Sequence, residues 1–198
     1  ILRARGHVLD QSSGAKFLPS ASNQISSHLI IGKKVNRLEN KIALITGGAA
    51  GIGLATAKCF VAEGAKVMLV DVQAEALEKA VLEIGEQFAT ACVADVTQED
   101  EVQKYVSKTM ERYGRIDVFF NNAGIEGDVD YLTNYSLDMF DKVMAVNVRG
   151  VWLGLKSVVP EMLKSGGGSI ICTSSLAGLK GQARLSPYVA STHVVMGI

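Results

Sequence analysis

The sequence predicts an α/β fold built on a doubly wound parallel sheet. Three observations carry that prediction. From Lys41 onward, short apolar runs rich in β-branched residues alternate with longer stretches of helical character. The runs lack strict polar alternation, as strands buried on both faces do. The first run also leads directly into a glycine-rich turn that opens a helix. Strands that alternate with helices mean βαβ units, right-handed crossovers and a parallel sheet.

The elements follow in order. Five apolar runs read as strands: "KIALIT" (41–46), "AKVMLV" (65–70), "FATACVA" (88–94), "IDVFF" (116–120) and "GSIICTS" (168–174). Helical segments lie between them at about 51–63, 74–86, 98–113 and 136–164, and another carries Tyr188. Two helix starts are signed by a hydroxyl followed by acids in the first turn: Thr97 before "QED" and Ser136 before "LD".

Residues 1–38 read as an extension outside the fold, leaving 39–198 as the domain. The extension holds six basic residues, six serines and one acid, Asp10, with no clear period. Ser-rich, Arg-bearing and acid-poor is the composition of an organelle transit peptide. A segment foreign to the domain would look similar: the chain lacks an initiator Met, and no strong amphipathic helix is visible.

Composition narrows the function classes. Twenty Lys+Arg balance twenty Asp+Glu, and basic and aromatic residues are not interleaved, so no nucleic-acid partner is expected. The longest apolar stretch is broken by Asn147 and Arg149, so no membrane span is expected. Cys59, Cys92 and Cys172 lie far apart with no CxxC spacing. They read as buried thiols in a reducing compartment, with no metal site. The expected location is cytoplasmic, with organelle targeting through 1–38 as the alternative.

The first functional signal is "TGGAAGIG" (46–53) between strand and helix. Gly47 permits a tight turn, Gly51 lets backbone approach a diphosphate, and Gly53 lets the helix pack closely. A helix N-terminus then offers free N–H groups and partial positive charge to phosphates. Asp71 ends the second strand, eighteen positions after Gly53. That is close to the ~20-residue offset at which an acid receives a ribose 2′-hydroxyl. A carboxylate there repels a 2′-phosphate, so NAD is expected over NADP. The arrangement is Rossmann-like.

These residues resemble the short-chain dehydrogenase/reductase family. "TGGAAGIG" (46–53) is similar to its TGxxxGxG loop. Asp95 in "ADV" resembles its acid near the adenine. "NNAG" (121–124) resembles its sheet-stabilising, cofactor-adjacent motif. Asn147 in "AVNV" matches its mid-helix asparagine, and "ICTSS" (171–175) followed by Tyr188 matches its serine-to-tyrosine arrangement.

The resemblance implies a cofactor set of Gly47, Ala50, Gly51, Ile52, Gly53, Asp71, Asp95, Val96, Asn122, Ala123, Gly124 and Tyr188. It implies Tyr188 as general acid/base on a substrate oxygen. Ser175, thirteen positions earlier, would hydrogen-bond that oxygen and is chosen over Ser174 by spacing. Asn147 would hold a water in a proton relay. The reaction implied is hydride transfer between NAD(H) and a secondary alcohol or ketone, in a homodimer or homotetramer.

Two departures stand out. The family places Lys four residues after the tyrosine, where its ammonium lowers the tyrosine pKa from about 10 and grips the nicotinamide ribose. This chain has Thr192. His193 lies about 140° around the helix from Tyr188 and faces elsewhere. Relatives also continue past this helix with further strands and a substrate-covering segment. The sheet is therefore expected to hold five strands in order 3-2-1-4-5 with later strands missing. Impaired turnover is expected. Two alternatives are a dinucleotide-binding module without chemistry, serving as sensor or scaffold, and a piece that does not fold alone. Gln182 and Arg184 in the loop before Tyr188 read as surface residues.

Overall fold

The computed structural model describes residues 36–198. Five parallel strands form one sheet in order β3-β2-β1-β4-β5. They are β1 (Ile42–Thr46), β2 (Lys66–Asp71), β3 (Ala89–Val93), β4 (Val118–Asn121) and β5 (Ser169–Cys172). Six α-helices accompany them: α1 (Gly51–Ala62), α2 (Ala74–Ile84), α3 (Glu99–Tyr113), α4 (Leu137–Met144), α5 (Val151–Lys164) and α6 (Ser186–Gly197). The strand order and the parallel pairing match the expectation from sequence.

Side chains alternate along the strands between two cores. Ala43, Ile45, Val67, Leu69, Val118 and Phe120 pack with Ala57 of α1 and Leu77 and Ala80 of α2. Leu44, Met68, Val70 and Phe119 pack on the other face with Val102 and Tyr105 of α3 and with Leu153 and Val158 of α5. Burial on both faces is why these strands read as continuous apolar runs.

Several boundaries differ from expectation. Strand pairing stops at Cys172, so Thr173 and Ser174 lie in the loop beyond β5. The segment 136–164 is one helical run, but its middle, Ala145–Gly150, is a π-helix. Ser136 caps α4, accepting from the Met139 N–H. Thr97 does not cap α3: Gln98 is the N-cap, and the Thr97 N–H donates to Asp95 instead. The cysteines are not uniformly buried: Cys59 is exposed, Cys172 half-buried and Cys92 buried. Residues 1–35 of the expected extension lie outside the described residues. Arg37 and Leu38 are bonded to Glu63 at the end of α1. No helix among the described residues is long and apolar enough to cross a membrane.

Candidate active site

A cleft of about 820 Å³ opens at the carboxyl ends of the strands. It lies where the strand order reverses between β1 and β4, the place where open α/β sheets bind ligands.

One end of the cleft is made largely of backbone. Gly47 has φ +65°, and a Cβ there would press on Ala123 and Asn122 at 3.0 Å. Gly53 is buried beneath the loop: any Cβ would overlap the Gly47 carbonyl. Gly51 has φ +52° and open space where a side chain would be. No side chain caps α1, and its first turn holds no acid. The helix therefore directs free N–H groups and partial positive charge into an open cradle, which fits a diphosphate.

Buried Thr46 ties this loop to the residues after β4. Its hydroxyl accepts from the N–H groups of Asn122 (2.9 Å) and Ala123 (3.1 Å). The Asn122 amide donates to the Thr46 carbonyl and accepts from the Thr173 hydroxyl. Asn121 donates to the Val151 carbonyl, fastening β4 to α5.

Asp71 sits at the rim with both carboxylate oxygens in use. One accepts from Ala49 N–H at 3.2 Å, the other from Gln73 N–H at 3.1 Å. The carboxylate thus braces the glycine loop and keeps lone pairs for a ligand hydroxyl. Asp95 accepts from Thr97 N–H at 2.9 Å. Asp95, Val96, Ile52 and Ala50 all line the cleft.

The other end of the cleft is made of side chains. Asn147 lies in the π-helix, 6% exposed. Its Oδ1 accepts from Ile125 N–H, and its Nδ2 donates to the Ile125 carbonyl and to Ser191 Oγ, at 2.8, 2.8 and 3.0 Å. Both amide protons are therefore spent on protein. The side chain joins the loop after β4 to α6, and what it keeps for a water is the second lone pair of Oδ1. Turns of π-helix of this kind cluster at functional sites.

Tyr188 and Thr192 line the cleft from α6. Among the described residues, no protein group hydrogen-bonds the Tyr188 hydroxyl. Thr192 is 5% exposed, and its hydroxyl faces the Tyr188 and Val189 carbonyls at 3.0 and 3.1 Å, back along its own helix. His193 is exposed, with Nδ1 2.9 Å from the Val189 carbonyl. Lys142 is the one cation lining the cleft among the described residues.

The two serines have different tasks. Ser174 lines the cleft, and its hydroxyl donates to the Thr192 carbonyl at 3.0 Å. Ser175 does not line it; its Oγ accepts from Ala177 N–H at 3.2 Å and caps the 3-10 turn Leu176–Gly178. Its proton is uncommitted.

The structure therefore brings together Gly47, Ala50, Gly51, Ile52, Asp71, Asp95, Val96, Asn122, Ala123, Gly124, Asn147, Tyr188 and Thr192. Of the expected set, Gly53 and Ser175 stand just outside. The sequence reading gave no role to Thr46, Thr173, Ile125 or Ser191. Thr46 was visible as the first letter of the glycine loop; the other three act through backbone or through contacts distant in sequence.

Comparison with known proteins gives a consistent result. Residues 41–198 match the family model for short chain dehydrogenases. Levodione reductase of Leifsonia aquatica is 46% identical over 166 residues, covering 82% of this chain and 62% of the relative. Secoisolariciresinol dehydrogenase of Forsythia intermedia is 43% identical over 164 residues, covering 82% and 59%. The crystal structure of NAD+-bound xylitol dehydrogenase superposes with a TM-score of 0.79 at 36% identity, covering 81% of this chain and 63% of that one. The chain thus spans about three fifths of the length of these relatives.

Proposed function

The chain belongs to the short chain dehydrogenase family, and from that premise we propose that the whole protein is an NAD-dependent oxidoreductase of a secondary alcohol or ketone. When bound, the dinucleotide supplies or accepts the hydride. The open, uncapped start of α1 holds its diphosphate, Asp71 receives the adenosine ribose, and Asp95 and Val96 flank the adenine. Tyr188 delivers or removes the proton at the substrate oxygen. Ser175 stands just outside the cleft lining but has an uncommitted hydroxyl proton, and we assign it the donation to that oxygen; Ser174 lines the cleft, but its proton is committed to Thr192. Asn147 holds the loop at Ile125 and helix α6 in one register.

The observation that carries this reading is the cleft itself. It joins a phosphate cradle to a free tyrosine hydroxyl across one switch point. Paired substitutions test it. Ser175→Ala should cost about 100-fold or more in turnover, and Ser174→Ala only a few-fold. The reverse order would transfer the role to Ser174.

A second reading has its own support. No cation stands where the family's lysine would, and the Thr192 hydroxyl is committed to its own helix. A dinucleotide-binding module without chemistry would look like this. NADH binding with no turnover of any ketone, in the whole protein, would select it.

Self-association belongs to the same proposal. Trp152 is 58% exposed on α5, beside an apolar groove lined by Met144, Val148, Val194 and Ile198. A dimer or tetramer covering this face should appear in sedimentation and fall apart on Trp152→Glu.

A further inference from the structure

Arg184 is one of two non-glycine residues among those described with left-handed backbone, at φ +67°. Such a conformation is unfavourable for a residue with a Cβ and persists where surrounding contacts over-determine it. Three contacts do so here, and all reach one short segment. The Arg184 carbonyl accepts from Asp130 N–H at 3.0 Å. Its guanidinium donates to the Val129 carbonyl at 3.1 Å. The same guanidinium lies over the Tyr131 ring, 5.3 Å from its centre.

The two segments joined continue from residues that line the cleft: Ile125 and Glu126 on one, Tyr188 on the other. Residues 125–131 begin where Asn147 grips Ile125. Arg184 stands four residues before Tyr188, with buried Leu185 and the start of α6 between them. Asn147 also holds Ser191 on α6. The loop is thus fixed to α6 at its base through Asn147 and at its outer end through Arg184. A ring of contacts closes around Tyr188.

We infer that Arg184 is a positioning residue. Its latch on Val129, Asp130 and Tyr131 fixes the approach of the 179–185 loop and so holds the Tyr188 hydroxyl over the substrate position. The functional part of the inference rests on Tyr188 as acid/base. The positional part does not.

Carbon-13 labelling of the ring carbon bearing oxygen in the five tyrosines gives each its own NMR resonance. The Tyr188 signal is assigned by its loss in Tyr188→Phe. Arg184→Gly removes the guanidinium and accommodates the left-handed backbone, so the fold is spared. Tyr131→Leu removes only the ring. Each should displace or broaden the Tyr188 resonance and leave that of buried Tyr105 in place. The double variant should do no more than the larger single one, because both cut one latch.

NADH affinity, read by fluorescence, should stay within about twofold, since neither residue lies at the nucleotide end. With any ketone that is turned over, kcat should fall several-fold and the KM for NADH should hold. A Tyr188 resonance unmoved in both single variants overturns the inference, as do effects that simply add. If no ketone is turned over, the oxidoreductase reading falls, and the Tyr188 resonance still decides the latch.

Discussion

The two ends of the cleft are built from different materials. The phosphate end depends on backbone: positive φ at Gly47 and Gly51, a helix start left uncapped, and a buried glycine where no side chain fits. The end proposed as catalytic depends on functional groups placed one at a time: the Tyr188 hydroxyl, the Asn147 amide, a serine proton. Replacing one side chain scarcely alters a backbone cradle. It can remove the only charge that a proton transfer needs. The departure in this chain falls at the second kind of end, at Thr192.

The largest effect should therefore come from restoring that charge. A cation about 5 Å from a phenolate, at an effective dielectric constant of about 20, is worth roughly 3 kcal/mol. Thr192→Lys should raise turnover on the order of 100-fold or more, measured with NADH and a ketone panel in the whole protein. NADH affinity should rise by less, through the one contact the ammonium would add at the nicotinamide ribose, because the diphosphate end is untouched. Equal turnover in both proteins would show that another group, with Lys142 the first to examine, already supplies the charge.

The converse test is applied to the backbone end. Gly53→Ala forces a Cβ into the Gly47 carbonyl, so loop and helix must separate. Overpacking of this kind costs about 1–3 kcal/mol and should weaken NADH binding by about ten- to a hundredfold. Gly51→Ala meets no protein atom, so the fold bears only the cost of its positive φ, about 1 kcal/mol, but its methyl enters the space proposed for the diphosphate, so NADH binding should suffer with little loss of stability. If Gly53→Ala binds NADH as the wild type does, the cradle is held by something other than the close approach at Gly53.

The opposite end of the sheet supplies a control: a charge with all its partners present. Asp117 accepts from Ile42 N–H at 2.9 Å and from Arg115 at 3.0 and 2.6 Å, with Lys41 at 3.5 Å. Burial pushes its carboxyl upward, but these hydrogen bonds and neighbouring cations outweigh it and hold the group below the usual carboxylate range. Its stabilisation is then fully present above the ordinary aspartate value of about 4 and is lost as pH falls through the lowered native value. Asp117→Asn should cost about 2 kcal/mol near neutral pH. That difference should vanish as the wild type itself becomes acid-labile, as chemical denaturation at stepped pH would show.

What was legible in the sequence follows the same division. The strands and the glycine loop came through because glycine spacing and two-sided apolar runs are local signals; the strand order came from the family resemblance. Asp71 came through because its offset is set by one βαβ unit. The Asn147 contacts did not, since Ile125 and Ser191 are 22 and 44 residues away and two of those three bonds are to backbone. The two serines are adjacent, so spacing alone could rank them but could not reveal that one proton is committed to Thr192 and the other is not. Arg184 read as a surface side chain, and it is exposed; its backbone angle and its partners on 129–131 have no sequence signature.

The smallest predicted effect lies where the two kinds of construction meet. Asp71 is a side chain that does backbone work: it accepts from Ala49 in the loop and from Gln73 at its own strand end. It is also the group that should read the adenosine ribose. Asp71→Asn keeps one acceptor oxygen, enough for the Ala49 N–H, and gives up the Gln73 bond and the charge, so the loop should hold while repulsion of a 2′-phosphate disappears. NADPH affinity should then rise about tenfold relative to NADH, or roughly 1.4 kcal/mol. Asp71→Ala removes the acceptor as well and should weaken both cofactors together. If Asn instead weakens NADH as much as Ala does, the carboxylate matters chiefly as a brace, and the proposed choice of NAD loses its basis at Asp71.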